Sequence, residues 1–263
     1  MKRKIILVVS AAVLLLSLLG VCSERTKVTQ AVQVYDELQE QISEENPIEE
    51  EKEEIVFINP TSEVKPSIEK KNTSVKPNKL DELYKKNNDL VGWISNDEII
   101  DYPIVQCKTD SNYYLHRDFN KKESVAGCLY IPNDISIDDS IVLIYGHNMR
   151  NSTMFGSLKK YLNKDYFERH KVINLSSLQE EKELEVLGVF LSQVYDDDYK
   201  GFKYYKYRGN LTEEDFNTYL AGIKPLMQVG DLSNVSYGDK LVELSTCNYH
   251  VKNGRLVVLC KQS

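Results

Sequence analysis

The sequence lacks the features typical of nucleic-acid-binding proteins and of zinc proteins. Its 263 residues carry a net charge of −7, and no basic block follows the N-terminal one, which argues against nucleic acid as a partner. Five cysteines form no C-x-x-C pair and no zinc pattern, and their odd number indicates a free thiol. The sequence alone does not decide whether Cys107 and Cys128 form a disulfide.

Regular alternation of strands and helices is also absent, as is any internal repeat, which argues against a parallel α/β sheet. Strand-like runs dominate after residue 90. Helical patterns are peripheral. One follows a capping box at Thr212-Glu-Glu-Asp215 and is expected to place these residues on one face: Phe216, Tyr219, Leu220, Ile223 and Met227. We therefore predict a mainly β fold, with a β-barrel as the best fit.

The N-terminus combines three basic residues, Lys2 to Lys4, with an apolar run over residues 5–22. Eighteen residues give about 27 Å of helix, enough for a bilayer core, and the basic cap places the start of the chain in the cytoplasm. We predict an uncleaved membrane anchor over residues 1–23, spanning once, with the rest of the chain outside. A cleaved signal peptide is the alternative.

Residues 24–78 are predicted to form a flexible, acidic, proline-containing stalk. From Asp36 to Glu54 there are ten acidic residues and one lysine, which is typical of a solvated segment. Ala31, Tyr35 and Leu38 recur at helical spacing, so a short exposed helix is plausible there. A globular domain is expected to occupy residues 79–263.

A hairpin near the end of the chain is predicted to bring a thiol beside a guanidinium. Two β-rich runs flank Asn253-Gly254, a hairpin signal. If the turn is centred on Val251, Cys247 lies opposite Arg255, with Cβ atoms about 4.5–5.5 Å apart. A guanidinium there stabilises negative charge on a nearby sulfur or oxygen.

Four histidines are candidate partners for Cys247. His147 follows a strand that is apolar on both faces, and the fold would have to bring it to the thiol; we favour it as the base. His250 is the runner-up, because at the hairpin tip it would point away. His116 and His170 are expected at the surface. The residues alone leave Cys247 open as a nucleophile or as an inert core cysteine.

Motifs spread over residues 79–263 resemble the sortases, class B in particular. The first are Leu244-Ser-Thr-Cys247 with Arg255 eight residues later, and Tyr145-Gly-His147-Asn-Met upstream. The others are Gly92-Trp-Ile94, Ile100-Asp-Tyr-Pro-Ile-Val-Gln106, Asp110-Ser-Asn-Tyr-Tyr-Leu115 and Met154-Phe-Gly156. The resemblance implies a closed barrel of about eight strands with peripheral helices, including an N-terminal helix and a long helix before the cysteine strand.

By the same resemblance, Cys247 is the nucleophile, His147 the acid and base, and Arg255 the third catalytic residue. Tyr145 and Ser245 match positions that line the substrate groove. Ser111 and Leu115 are predicted to join them, although Ser111 stands where the family often has an aspartate before the asparagine. The Leu129–Asp134 stretch also departs from the family's usual phenylalanine-containing form.

The implied activity is transpeptidation at the surface of a Gram-positive cell. The enzyme would cleave a C-terminal sorting motif of surface proteins, of the kind Asn-Pro-x-Thr-Asn or x-Pro-x-Thr-Gly, after the threonine. It would join the protein to an amine of the peptidoglycan cross-bridge or stem peptide, with no cofactor and no metal. The alternatives are a cell-wall cysteine peptidase or amidase that only hydrolyses, and a non-catalytic surface binding domain.

Overall fold

A computed structural model describes residues 2–44, 80–96 and 99–263, and nine strands in these ranges form one sheet. Their order is β5-β1-β2-β3-β4-β8-β9-β6-β7, and β5 also pairs with β6. Eight strands therefore close a barrel, and β7 pairs outside it on β6. The strands are β1 (Leu90–Asn96), β2 (Ile100–Val105), β3 (Leu129–Tyr130), β4 (Ile141–Tyr145), β5 (Val172–Ser177), β6 (Glu181–Gln193), β7 (Met227–Gly230), β8 (Leu241–Cys247) and β9 (Gly254–Gln262).

The helices surround the barrel, so the predicted closed barrel with peripheral helices is confirmed. They are α1 (Lys2–Glu44), α2 (Asp81–Lys86), α3 (Lys164–Arg169) and α4 (Glu213–Ile223). Thr212 caps α4, since its side chain accepts a hydrogen bond from the Asp215 N–H.

The predicted helix before the cysteine strand ends earlier than its apolar pattern indicated. α4 ends at Ile223, a 3₁₀ turn covers Lys224–Leu226, and Met227 begins strand β7. Including Met227 in the helix was wrong. Pro225 lacks an N–H and its ring clashes with the preceding helical turn, so the α-helix does not continue through it.

Helix α1 packs against the barrel with the apolar face that the sequence predicted. Ala31, Tyr35 and Leu38 are at most 4% exposed. The Tyr35 hydroxyl donates to the Gly127 carbonyl, and the Gln39 amide donates to the Asp101 carbonyl at 2.6 Å. Residues 24–44 of the predicted stalk are therefore helical and in part packed on the domain. The remainder of that stalk, residues 45–78, lies outside the described residues.

Across the ranges given above, no helix is both long and apolar enough to cross a membrane.

Strands β4 and β8 lie at the centre of the barrel wall and fix the geometry of the site. They pair in parallel with a constant offset, from Ile141 with Leu241 to Tyr145 with Ser245. Four of the five β4 residues are buried, as the apolar run predicted. β8 also pairs antiparallel with β9, so the end of β8 is held from both sides.

All five cysteines are free thiols, so Cys107 and Cys128 are not bridged. Cys128 and Cys260 are buried among apolar residues, whereas Cys107 is half-buried. Burial raises the pKa of the Cys128 thiol to about 12, which keeps it protonated and unreactive. Cys247 is half-buried at the end of its strand, where a substrate has access to it.

Candidate active site

The hairpin register predicted from the sequence is confirmed. Cys247 pairs with Arg255, and every pair from Leu241 to Cys247 keeps the same register. Asn253 has φ +56°, a left-handed conformation that asparagine tolerates better than most residues. The Asn248 N–H donates to the Gly254 carbonyl at 2.9 Å, which closes the loop. The turn therefore holds the thiol and the guanidinium on facing residues.

The parallel pairing of β4 and β8 carries His147 to the level of Cys247. Beyond the last strand pair, the Gly146 N–H donates to the Ser245 carbonyl at 3.1 Å. The Thr246 hydroxyl donates to the Gly146 carbonyl at 2.7 Å. The Asn148 side-chain amide donates to the Cys247 carbonyl at 2.7 Å. These bonds continue the register past the strand ends, and neighbouring strands lie about 4.8 Å apart.

Position 146 requires a glycine because the side chains of Leu129 and Phe155 pack closely against its backbone. A Cβ at this position would lie 2.4 Å from Leu129 and 2.6 Å from the Phe155 ring. The Phe155 N–H donates to the His147 carbonyl at 3.0 Å, so the loop after β4 folds back on the histidine. The glycine before His147 thus permits the packing that fixes the imidazole's backbone.

The side-chain hydrogen bond of His147 shows which ring nitrogen is engaged and which is left free. Nε2 lies 2.7 Å from the Leu115 carbonyl oxygen. Because a carbonyl oxygen only accepts, Nε2 carries the hydrogen, and Nδ1 is left as the basic nitrogen of the neutral ring. Burial lowers the pKa of His147; the Leu115 bond opposes this shift and the charge of His116 adds to it. The neutral imidazole is thereby favoured.

His116 was expected to be an unrelated surface residue, but it contacts the candidate base. Its ring stacks on His147 with centroids 5.7 Å apart and planes 28° apart. His116 is exposed, so its charge reaches a partly buried imidazole. The only signal in the sequence was its place next to Leu115, and nothing local indicated that residues 115–116 meet a histidine 31 positions later.

Arg255 is partly occupied by the turn and partly free. Its Nη1 donates to the carbonyls of Asn253 at 3.2 Å and Gly254 at 3.0 Å. A guanidinium has five N–H donors, and in the described part of the chain Nε and Nη2 make no hydrogen bond. Burial raises the pKa of Tyr130 to about 12, an effect that nearby Arg255 opposes and Cys247 reinforces. Tyr130 therefore lies within electrostatic range of both residues.

The four predicted groove residues occupy different places. Tyr145 is half-buried, with its ring 5.5 Å from that of Tyr130, and Leu115 supplies the carbonyl that holds His147. Ser111 links two loops, because its hydroxyl bonds the Asn133 side chain and accepts from the Asn133 N–H at 3.1 Å. Their binding of substrate stays a prediction.

Ser245 and Glu243 lie beneath the site within the barrel wall. Ser245 is 0% exposed and shares a 2.8 Å hydrogen bond with the Tyr204 hydroxyl. Glu243, also 0% exposed, accepts a 2.6 Å hydrogen bond from Tyr219 through Oε1. Its Oε2 has no partner among the described residues. The polar residues on this face of β8 thus form a buried network with tyrosines, and of these residues only Cys247 reaches solvent.

The arrangement combines a thiol, an imidazole with one free nitrogen, and a guanidinium with free donors. These are the parts of nucleophilic catalysis at a carbonyl: a nucleophile, a proton carrier and a donor for the oxyanion. In the ranges that the structure covers, no group of three or more histidine, cysteine or acidic side chains is placed to hold a metal.

Comparison with known proteins connects this site to one family, although no family model matches the chain. Sortase B of Listeria monocytogenes is 33% identical over 185 residues, which is 68% of this chain and 72% of that protein. The crystal structure of sortase B from B. anthracis in complex with AAEK1 is 31% identical, with a TM-score of 0.59, over 70% of this chain and 83% of that one.

A Staphylococcus aureus sortase B–substrate complex, at 22% identity, has the same fold, with a TM-score of 0.69 over 90% of this chain and 98% of that one. The identity to the Listeria protein over most of both chains exceeds what the fold alone explains. The protein belongs to the sortase B family of cysteine transpeptidases.

Proposed function

We propose that this enzyme cleaves a C-terminal sorting motif of surface proteins after its threonine and joins the new carboxyl end to a peptidoglycan amine. The motif is of the kind Asn-Pro-x-Thr-Asn or x-Pro-x-Thr-Gly. The observation that carries the proposal is the convergence of Cys247, Arg255 and His147 at the ends of β8, β9 and β4.

In the first half-reaction, the Cys247 thiol gives its proton to neutral His147, and the resulting thiolate attacks the threonine carbonyl carbon. The oxygen becomes negatively charged, and the free Nε and Nη2 donors of Arg255 stabilise it. The C–N bond then breaks, and the leaving amine takes a proton from the His147 imidazolium. A thioester between Cys247 and the threonine carbonyl remains on the enzyme.

In the second half-reaction, an amine attacks the thioester carbonyl. Its proton passes to neutral His147, the C–S bond breaks, and the Cys247 thiolate is restored. The lowered pKa of His147 supports this step, because the neutral ring is the form that accepts the proton. The hydrogen bond to the Leu115 carbonyl holds one proton on Nε2, and this proton takes no part in the transfer.

The partners that follow from this reaction are surface proteins with a C-terminal sorting signal and a cross-bridge or stem peptide of the cell wall. The S. aureus sortase B structure contains a bound substrate. Because the two proteins share a fold, this supports proteins with a sorting signal as one class of partner. The cell surface, facing the wall, is the place where both substrates meet.

The test is incubation of the full chain with quenched peptides that carry each motif, with and without triglycine or diaminopimelate, followed by mass analysis. Cleavage after threonine, with the amine joined to it and none in Cys247→Ala, is the expected result. Cleavage to the free acid, at a rate that added amine does not change, would instead indicate a hydrolase. Wild-type protein that binds the peptides and never cleaves them would indicate a binding domain.

A further inference from the structure

A cleft of about 800 Å³ lies between helix α1 and residues 116–125. His116 lines the cleft and stacks on His147. The preceding residue, Leu115, holds His147 Nε2 through its carbonyl. Two consecutive residues thus connect the cleft wall to the imidazole that must take a proton from the incoming amine.

The wall of the cleft carries charges of both signs. Asp118 is used by the fold, since it is 4% exposed and its carboxylate accepts the Lys122 N–H at 3.0 Å. Arg117 is also engaged, because its guanidinium lies 4.4 Å from the centre of the Tyr113 ring.

Three charged side chains of the wall remain available, namely Lys27, Lys122 and Glu123. All three are exposed, and within the described part of the chain none of them forms an ion pair. Ala31, Val34 and Val125 give the same cleft an apolar part. A short peptide with a free amine and a carboxylate complements such a surface in charge and in size.

We propose that this cleft binds the acceptor substrate, a peptide that carries both a free amine and a carboxylate. Lys27 and Lys122 pair with the carboxylate, and Glu123 attracts the protonated amine toward the His116 end. The amine gives its proton to His147 and attacks the thioester on Cys247, which breaks the C–S bond. Helix α1 then has a catalytic purpose, because it supplies one wall of the acceptor site. The proposal rests on the proposed transpeptidase function.

The test compares two acceptors that differ only in the carboxylate, triglycine and triglycine amide, with the full-chain enzyme. The Lys27→Glu/Lys122→Glu variant replaces attraction with repulsion. Because two exposed ion pairs are lost and replaced by repulsion, we expect KM for triglycine to rise about tenfold. KM for triglycine amide, which carries only the positive amine, should not rise, and KM for the sorting peptide and the rate of hydrolysis without amine should stay unchanged. Lys164→Glu, the same change on the exposed start of α3, is the matched control.

Equal KM changes for both acceptors, or no change for triglycine, would overturn the acceptor site while leaving the transpeptidase standing. A slower hydrolysis without amine in the double variant would also overturn it, because the effect would then act through the fold or the thioester step. Failure of the wild type to cleave any peptide would overturn the proposed function, and the acceptor site with it.

Discussion

The side-chain amide of Asn148 donates a 2.7 Å hydrogen bond to the backbone carbonyl of Cys247, across 99 positions of sequence. It ties the loop that carries His147 to the end of the strand that carries Cys247, the proposed nucleophile. Asn148 was part of the motif recognised in the sequence, but no role was assigned to it. The bond makes it a positioning residue for both partners.

We expect Asn148→Ala to lower kcat about tenfold with little change in KM for the peptide. Loss of one neutral hydrogen bond costs about 0.5–1.5 kcal/mol, and 1.36 kcal/mol corresponds to a factor of ten in rate. Steady-state kinetics measure the effect. Asn210→Ala, which removes an exposed amide bond to Asp139, is the control. An unchanged kcat in Asn148→Ala would show that the bond does not position the site.

Arg255→Lys is predicted to lose most of the activity that Arg255→Ala loses. Nη1 is bound to the turn, so only a branched guanidinium can hold the turn and still offer donors to the oxyanion. Loss of one oxyanion donor typically lowers kcat about 10²–10³-fold. The measurement is kcat/KM for peptide cleavage, with Arg169→Lys on the exposed end of α3 as the control. Near wild-type activity in Arg255→Lys would contradict this role.

His116→Phe is expected to raise the pKa of His147. The phenyl ring keeps an aromatic contact, but it removes the positive charge that lowers the pKa of His147. NMR titration of the His147 imidazole in the full chain measures the shift, and the limb of the kcat/KM profile that follows His147 should move to higher pH. His170→Phe, which keeps the stacking on Tyr166, should leave it in place. A fall in the pKa of His147 would contradict the assignment.

Glu243→Gln should stabilise the protein at high pH. Burial raises the pKa of Glu243 from about 4.5 to about 8, against the opposing effect of Tyr219 and Arg208. The folded state therefore holds this proton more tightly than the unfolded chain. The contribution to stability is fully present below about pH 4.5 and is lost as pH rises to about 8, at roughly 1.4 kcal/mol per pH unit.

Thermal unfolding of both proteins from pH 5 to pH 9 tests this prediction. The Tm of Glu243→Gln minus that of the wild type should increase up to about pH 8 and then level off. The other titrating groups are common to the two proteins and cancel in the difference. A difference that does not depend on pH would mean that Glu243 is ionised in the folded protein at neutral pH.

The hairpin was predictable from the sequence because its turn is local. Asn253-Gly254 marks the turn, and a turn ties Cys247 to Arg255 by simple counting. The partner histidine was a different problem, since nothing in the spacing between residues 147 and 247 shows that β4 and β8 pair in parallel. There the resemblance to sortases supplied what the local pattern could not.

The sequence pattern did not show which surfaces the rest of the fold covers. Alternation along β8 puts Glu243, Ser245 and Cys247 on one face, and closure of the barrel buries the first two against tyrosines. Acidic composition suggested a solvated stalk, whereas Tyr35 of that segment packs on the barrel. In both cases the residues that bury the surface come from a distant part of the chain, so the local sequence pattern cannot indicate the burial.

The central claim is a thioester on Cys247, and intact-mass analysis of the full chain tests it most directly. The enzyme is mixed with a sorting-motif peptide without an acceptor amine and quenched in acid within the first turnovers. The account predicts a mass increase equal to the peptide up to its threonine, located on Cys247, absent in Cys247→Ala and discharged by added triglycine. Cleavage with no such adduct, or with the adduct on another residue, would contradict it.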